Sequence, residues 1–226
     1  MLYIDVITIF PKIFEGFLEE SFIKKAQEKK LVKIRIWNLR DFAKDKHKTV
    51  DDRPYGGGFG MVFKVEPIFR ATKEIKKRVR AQKRERKIIL FTPRGEQFCQ
   101  KMAFKFSKLK HLILICGRYE GVDERVAKYI ADLKISMGPY DLMGGEVPAM
   151  ALIEATLRLI PGVLGKPELL KERITKKKGF IEYAQYTRPA IFSPKKGVYW
   201  KVPKVLLSGN HKKIKEWREK HKKIIE

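Results

Sequence analysis

The sequence predicts an α/β fold: a mostly parallel sheet with helices on both faces, followed by a small basic helical unit. Three observations carry this reading. Short apolar runs, such as residues 88–91 and 112–116, have strand length and alternate with segments of helical periodicity. These runs are apolar throughout rather than at every second position, as strands buried on both faces require. From Lys166 onward the texture changes: residues 166–226 hold 18 Lys/Arg against 6 Asp/Glu, a net of +12 within the chain's total of +25.

Residues 2–10 are rich in Ile, Val and Phe and stop at Pro11, which suits a buried first strand. Phe14, Phe17, Leu18, Phe22 and Ala26 recur at helical spacing and predict a helix over 14–30. Residues 31–37 alternate apolar and basic side chains and read as a half-buried strand. Residues 41–61 are polar, Gly-rich and without period. There follow a very basic helix over 67–86, a short strand over 88–91, a helix over 97–108, a strand over 112–116, a helix over 124–130 and a last short strand over 133–136. A strong helix is predicted over 148–160, with Pro148 in its first turn, where a missing N–H costs no helical bond. Residues 1–165 thus form one α/β domain, 166–185 a linker and 186–226 a short basic helical domain.

Charge narrows the function. The chain carries 51 Lys+Arg against 26 Asp+Glu. Heat adaptation enriches Glu along with Lys, so the one-sided sign points to a polyanionic partner, with nucleic acid ahead of an anionic membrane surface. The longest apolar runs are strand-sized, which argues against a membrane span. Residues 1–10 carry Asp5 and no basic region, unlike a signal peptide. Cys99 and Cys116 have neither metal-ligand nor redox spacing. A cytoplasmic protein with free thiols is expected. The four histidines form no metal pattern.

Three loops follow short apolar strands: Thr92-Pro93-Arg94-Gly95, Gly117-Arg118-Tyr119-Glu120-Gly121, and the stretch from Met137 to Glu146. Ligands of open parallel sheets bind outside the carboxyl ends of the strands, so these loops can form one pocket. Glycines let the backbone approach a ligand closely. No GxxxxGK[ST] is present and no GxGxxG opens a helix, which disfavours nucleoside triphosphates and dinucleotides. A loop-lined pocket of this kind suits an adenosine-type ligand held by backbone groups.

Six ordered motifs together resemble the bacterial tRNA (guanine-37-N1)-methyltransferases of the SPOUT class, the TrmD family. They are Asp45-Lys46-His47-Lys48-Thr49-Val50-Asp51-Asp52-Arg53-Pro54-Tyr55-Gly56-Gly57-Gly58; the stretch from Cys116 to Arg125; Gly144-Gly145-Glu146 with Pro148-Ala149-Met150; Ile160-Pro161-Gly162-Val163-Leu164-Gly165; Tyr186-Thr187-Arg188-Pro189; and Leu207-Ser208-Gly209-Asn210-His211. The resemblance implies a homodimer with active sites at the interface, a deep trefoil knot formed by the second and third loops, and S-adenosyl-L-methionine bound within it. It makes residues 1–165 the knotted cofactor-binding domain and 186–226 a tRNA-binding domain. By motif match the cofactor would contact Pro93, Gly117, Glu120, Met137, Gly138, Pro139, Tyr140, Asp141 and Leu142, with Gly144, Gly145 and Pro148 behind. Lys46, His47, Lys48, Arg53, Tyr55 and Arg188 would face tRNA. Members use Mg²⁺, although no metal site is visible in the sequence. Phe59 stands where the family has proline, and Pro139 and Asp141 stand where it has an acidic and an aliphatic residue. The family continues past Trp217 with more helical sequence, whereas this sequence ends at Glu226, and the lysines from Lys195 to Lys223 are expected to grip tRNA phosphates.

The implied reaction transfers a methyl group to guanine N1, which must first lose its proton to a carboxylate. A cation near O6 would stabilise the developing charge. The resemblance puts that cation at Arg158. In place of the family's Asp-Ser-Phe segment stands Lys171-Glu172-Arg173-Ile174, so Glu172 is the candidate base, with Glu182 and Glu168 behind it. Three other readings stay open: a non-catalytic RNA-binding member of the fold, a methyltransferase for another RNA base, and a basic structural protein of the ribosome.

Overall fold

Strand β1 (Leu2–Thr8) lies inside a five-stranded sheet of order β2-β1-β6-β5-β7, and every pairing in that sheet is parallel. The other strands are β2 (Val32–Asn38), β5 (Arg86–Gln97), β6 (His111–Ile115) and β7 (Leu133–Ser136). A computed structural model describes residues 1–165 and 173–225 of the chain, which divides into two compact units, Met1–Pro167 and Glu168–Glu226.

The apolar runs serve both faces of the sheet because successive side chains point to opposite sides. Ile89, Phe91, Leu112 and Leu114 join one core with helices α1 (Glu15–Glu19), α2 (Ser21–Glu28), α4 (Gln100–Phe106) and α6 (Glu146–Leu157). Ile88, Leu90, Ile113 and Ile115 join a second core with α3 (Val65–Arg78) and α5 (Glu124–Tyr129). All five residues of β6, the central strand, are buried.

Several boundaries differ from expectation. The helix expected over 14–30 is a 3₁₀ turn, Pro11–Phe14, followed by α1 and α2, with Glu20 extended between them at φ −57°, ψ 138°. Gly16 weakens α1, and Phe14, Ile23 and Ala26 still reach one core across the break. The basic helix stops at Arg78 rather than Arg86. Val79 turns extended and is buried, and Arg86 Nη2 donates to the carbonyls of Val79 (2.7 Å) and Lys76 (3.2 Å), satisfying the helix end from outside. Helix α4 starts at Gln100 rather than 97, because Phe98 N–H donates to Ser136 O (2.7 Å) and holds the chain against β7. The aperiodic stretch 41–61 is fastened at its far end by a two-residue antiparallel ladder, β3 (Asp51–Asp52) with β4 (Val62–Phe63).

The largest departure is at Thr92-Pro93-Arg94-Gly95. Instead of ending at Phe91, β5 resumes after these residues, and both Phe91 and Glu96 pair with Ile135 of β7. The pairing register shifts across this excursion. At Gly95 a Cβ would lie 2.5 Å from Ile135 N, so only glycine lets the excursion close on β7.

In the second unit, β8 (Phe180–Tyr183) pairs antiparallel with β11 (Lys222–Ile225), and β9 (Ile191–Lys195) pairs with β10 (Val198–Lys201). Two helices lie between, α7 (Lys204–Leu207) and α8 (His211–His221). Residues 180–183, read from sequence as part of a linker, are thus a strand, and the unit is mixed rather than purely helical. Among the described residues no helix is long and apolar enough to cross a membrane.

Candidate active site

Parallel strands bring their carboxyl ends to one edge, and the loops leaving β5, β6 and β7 there enclose a cavity of about 450 Å³. Ten of the twelve expected ligand-binding residues line it: Pro93, Gly117, Glu120, Met137, Tyr140, Asp141, Leu142, Gly144, Gly145 and Pro148. Gly138 and Pro139 do not. Gly138 is buried beneath the ring of Tyr140, and a Cβ there would run into that ring. Pro139 is exposed. The wall also carries charge, with Arg94, Arg118, Glu120, Glu124, Lys134 and Asp141 on it.

Glycines set how closely the walls approach. Gly145 N–H donates to Gly117 O at 3.0 Å, and a Cβ on Gly145 would sit 2.6 Å from Cys116 Cα. The start of α6 therefore lies directly on the end of β6. Tyr119 holds φ 60°, a left-handed conformation uncommon for an aromatic residue, in the turn closed by Gly121 N–H to Arg118 O. Its ring meets Phe63 edge-on at 5.7 Å, a contact that holds the turn in place.

Phe63 belongs to the segment that follows the signature loop. Glu120 N–H donates to Met61 O (3.1 Å), Phe63 N–H to Gly121 O (3.0 Å) and Asp123 N–H to Phe63 O (2.9 Å). The signature loop is thereby stitched onto the cavity wall. Within it Lys46, His47, Lys48, Arg53 and Tyr55 are all exposed, Tyr55 at 101% and Phe59 at 99%. Asp45 accepts from the N–H and hydroxyl of Thr49, which hold its carboxyl below the ordinary range and fix the turn through His47. Arg188, in the second unit, is exposed.

Of the expected catalytic pair, Arg158 is not among the residues that line this cavity. Arg158 closes the far end of α6. Ten residues beyond Pro148, it lies about 15 Å along the helix. Glu172 and Glu168 fall outside the described residues. Glu182 is described, and it pairs with Arg173 Nη1 at 2.9 Å.

Sequence reading missed one constellation. Glu146 is fully buried at the first turn of α6, where it accepts from Thr8 Oγ1 (2.7 Å) and from Arg118 Nε (2.9 Å). The Arg118 guanidinium lies over the Phe10 ring at 4.8 Å. Thr8, Arg118 and Glu146 are too far apart in sequence for any local pattern to join them. Nearby, burial and the Glu146 charge push the Cys116 thiol well above its ordinary pKa, which makes it an inert packing group. Among the described residues no three His, Cys, Asp or Glu side chains gather as a metal site.

Comparison with known proteins agrees with this geometry. The family model described as tRNA (Guanine-1)-methyltransferase TrmD matches residues 2–224. A tRNA (guanine-N(1)-)-methyltransferase of Dictyoglomus turgidum is 54% identical over 220 residues, 97% of this chain and 84% of its own. Those of Geobacillus kaustophilus and Bacillus subtilis are 52% and 48% identical over 217 residues, 96% of this chain and 85% and 86% of theirs. The chain belongs to the TrmD family of tRNA (guanine-1)-methyltransferases.

Proposed function

We propose that the protein transfers a methyl group from S-adenosyl-L-methionine to N1 of guanine 37 in tRNA. The observation that carries this reading is the backbone stitching of the exposed, basic signature loop onto the cavity wall. It sets a loop suited to RNA at the rim of a cavity suited to a small ligand.

The groups present fit an adenosyl ligand. A cavity of about 450 Å³ is within the range of small-molecule sites. Gly117, Gly144 and Gly145 offer bare backbone, and Pro93, Met137, Leu142 and Pro148 offer apolar walls. When bound, the cofactor supplies an electrophilic methyl group. The chain's residues must then orient guanine, exclude water and take the N1 proton. We assign the proton to Glu172 and the stabilisation of charge on O6 to Arg158. Among the described residues no group of His, Cys, Asp or Glu side chains gathers to hold Mg²⁺.

The position of Arg158 supports a homodimer with shared active sites. Within one chain it is carried away from the cavity by the length of α6, so it serves a cavity most simply when a second copy presents it. On helix α6 Val147 and Ala151 remain exposed, beside Met143 and Leu142 and with Glu154 further along the same face. An exposed apolar patch rimmed by a charge suits cover by a partner surface. The excursion of residues 92–95, which brings Gly95 directly against the Ile135 backbone, supports the trefoil knot.

Methyl transfer from labelled cofactor to unmodified tRNA, with a transcript lacking guanine 37 as control, tests the reading. Incorporation confined to the guanine-bearing transcript is expected; equal incorporation into both refutes the target. Glu172→Gln should lower turnover about 100-fold or more with cofactor binding intact, and full activity would remove Glu172 from the role.

A further inference from the structure

The Glu146 constellation is unexplained by the mechanism above. A fully buried carboxylate and a largely buried guanidinium (Arg118, side chain 19% exposed) stand at the cavity where a pair of apolar residues would pack at lower cost. The carboxylate is fully engaged: Thr8 holds one oxygen and Arg118 Nε the other. The arginine is not. It gives only Nε to Glu146, and no residue described accepts from Nη1 or Nη2. Yet the group is clamped on every other side. Its guanidinium is stacked on Phe10, its backbone bridges Gly144, and its side chain crosses the bare α-carbon of Gly144, where a Cβ would strike Nε. The fork is thus aimed before anything binds it.

We infer that Arg118 presents Nη1 and Nη2 to an oxyanion of the substrate, and that this is the phosphodiester next to the target guanosine. The inference rests on the reading that the protein methylates tRNA. Guanidinium forks match phosphate oxygens in bidentate fashion, and such charge-assisted bonds are the strong ones. Glu146 neutralises the formal charge, so the pair exerts little pull at long range. Attraction at a distance is left to the exposed cations of the signature loop, and Arg118 acts at contact by fixing where the nucleotide's backbone stops. Thr8 and Glu146 are then positioning residues, and Gly144 is required because any side chain would displace the guanidinium.

The test is a cycle between Arg118→Met and tRNA carrying a methylphosphonate at the linkage 5′ or 3′ of guanosine 37. Because Arg118→Met strands a buried carboxylate, it is made alone and with Glu146→Gln, which removes that charge. On unmodified tRNA, KM should rise about 10- to 100-fold, the range for a hydrogen bond to a charged group, with kcat within a few-fold of wild type. Arg118→Lys should remain impaired, since an ammonium cannot form the fork. At the contacted linkage the methylphosphonate should cost the wild type a similar factor and the variant less than about two-fold. Equal losses in both proteins at both linkages overturn the inference. So does a loss of affinity for S-adenosyl-methionine that is absent for methylthioadenosine, which would assign the fork to the cofactor's carboxylate. Failure of the wild type to methylate unmodified tRNA would instead refute the underlying reading.

Discussion

Gly145→Ala perturbs the point where α6 meets β6. The added Cβ would lie 2.6 Å from Cys116 Cα, 3.1 Å from its Cβ and 3.2 Å from Gly117 N. Two of these three are backbone atoms just past the end of β6, so no rotamer change relieves them. Overpacking of a core costs about 1–3 kcal/mol, and a clash against backbone belongs in the upper half of that range. For a unit of this size each kcal/mol lowers Tm by about 2–4 °C, so a fall of about 4–12 °C is expected. The damage should also reach function. Gly145 N–H bonds to Gly117 O, and Pro148 lines the cavity three residues on, so separating α6 from β6 widens the cavity. An ångström-scale displacement costs turnover about 100-fold. Thermal melting, cofactor titration and methyl-transfer turnover measure these effects. Gly16→Ala is the counterpart, because nothing lies within 4 Å of the added atom and α1 gains a better helix former. It should stabilise by about 0.5–1 kcal/mol. A Gly145→Ala protein that melts within a degree of wild type and binds cofactor normally would refute the packing argument.

Removing the carboxyl at position 5 should cost more. Asp5→Ala leaves Arg35, Trp37 and His111 without their shared acceptor, and a broken buried ion pair costs about 3–5 kcal/mol, which urea unfolding would show. The same network predicts a pH dependence. Burial alone would raise the Asp5 pKa, but hydrogen bonds from His111, Arg35 and Trp37 and the Arg35 charge together hold it below the ordinary value. Its contribution is therefore complete above the unfolded pKa of about 3.9 and is lost as pH falls through the lower folded value. The stability gap between wild type and Asp5→Asn should close below about pH 4, and a gap that persists in acid would rule out this linkage. Finally, Tyr55→Ala with Phe59→Ala should weaken tRNA binding, at about 1–3 kcal/mol for each base that stacks, without moving Tm, because neither ring is buried. Unchanged affinity would remove both rings from the RNA interface.

What could be read in advance follows from the range of the interactions involved. Leu112 and Leu114 against Ile113 and Ile115 mark a strand buried on both faces, and that pattern depends only on neighbours in sequence. The three loops could be gathered because parallel strands must place their carboxyl ends together. Helix ends were less legible. Arg78 ends α3 because Arg86, eight residues beyond it, reaches back to the carbonyls of Lys76 and Val79 while Val79 is buried. In the sequence the excursion at residues 92–95 is indistinguishable from an ordinary loop, since glycine and proline mark turns of every kind. Only Ile135, some forty residues away, shows why Gly95 has no side chain. In the sequence Arg118 is one letter of a motif, and its aim is set by Thr8, Phe10, Gly144 and Glu146, which come from two segments distant from it in the chain.

The two fully buried carboxylates among the described residues, Asp5 in the sheet and Glu146 on α6, show how one set of residue types serves two ends. Asp5 sits in mid-strand and accepts from four donors, among them both Nε and Nη2 of Arg35. That arginine has spent its fork on the protein, and its guanidinium lies over Tyr3 and Trp37. Glu146 sits at the carboxyl edge and takes a single nitrogen from Arg118. The cost of burying charge is similar in the two places, but the return differs. A bidentate Arg35 adds only to the rigidity of the sheet. A monodentate Arg118 leaves strong, aimed donors facing the cavity at a place where RNA can reach them. The unfinished pairing, more than the presence of arginine, separates a site from a structural knot of charge, and it requires position 118 to remain arginine while position 35 needs only a partner for Asp5.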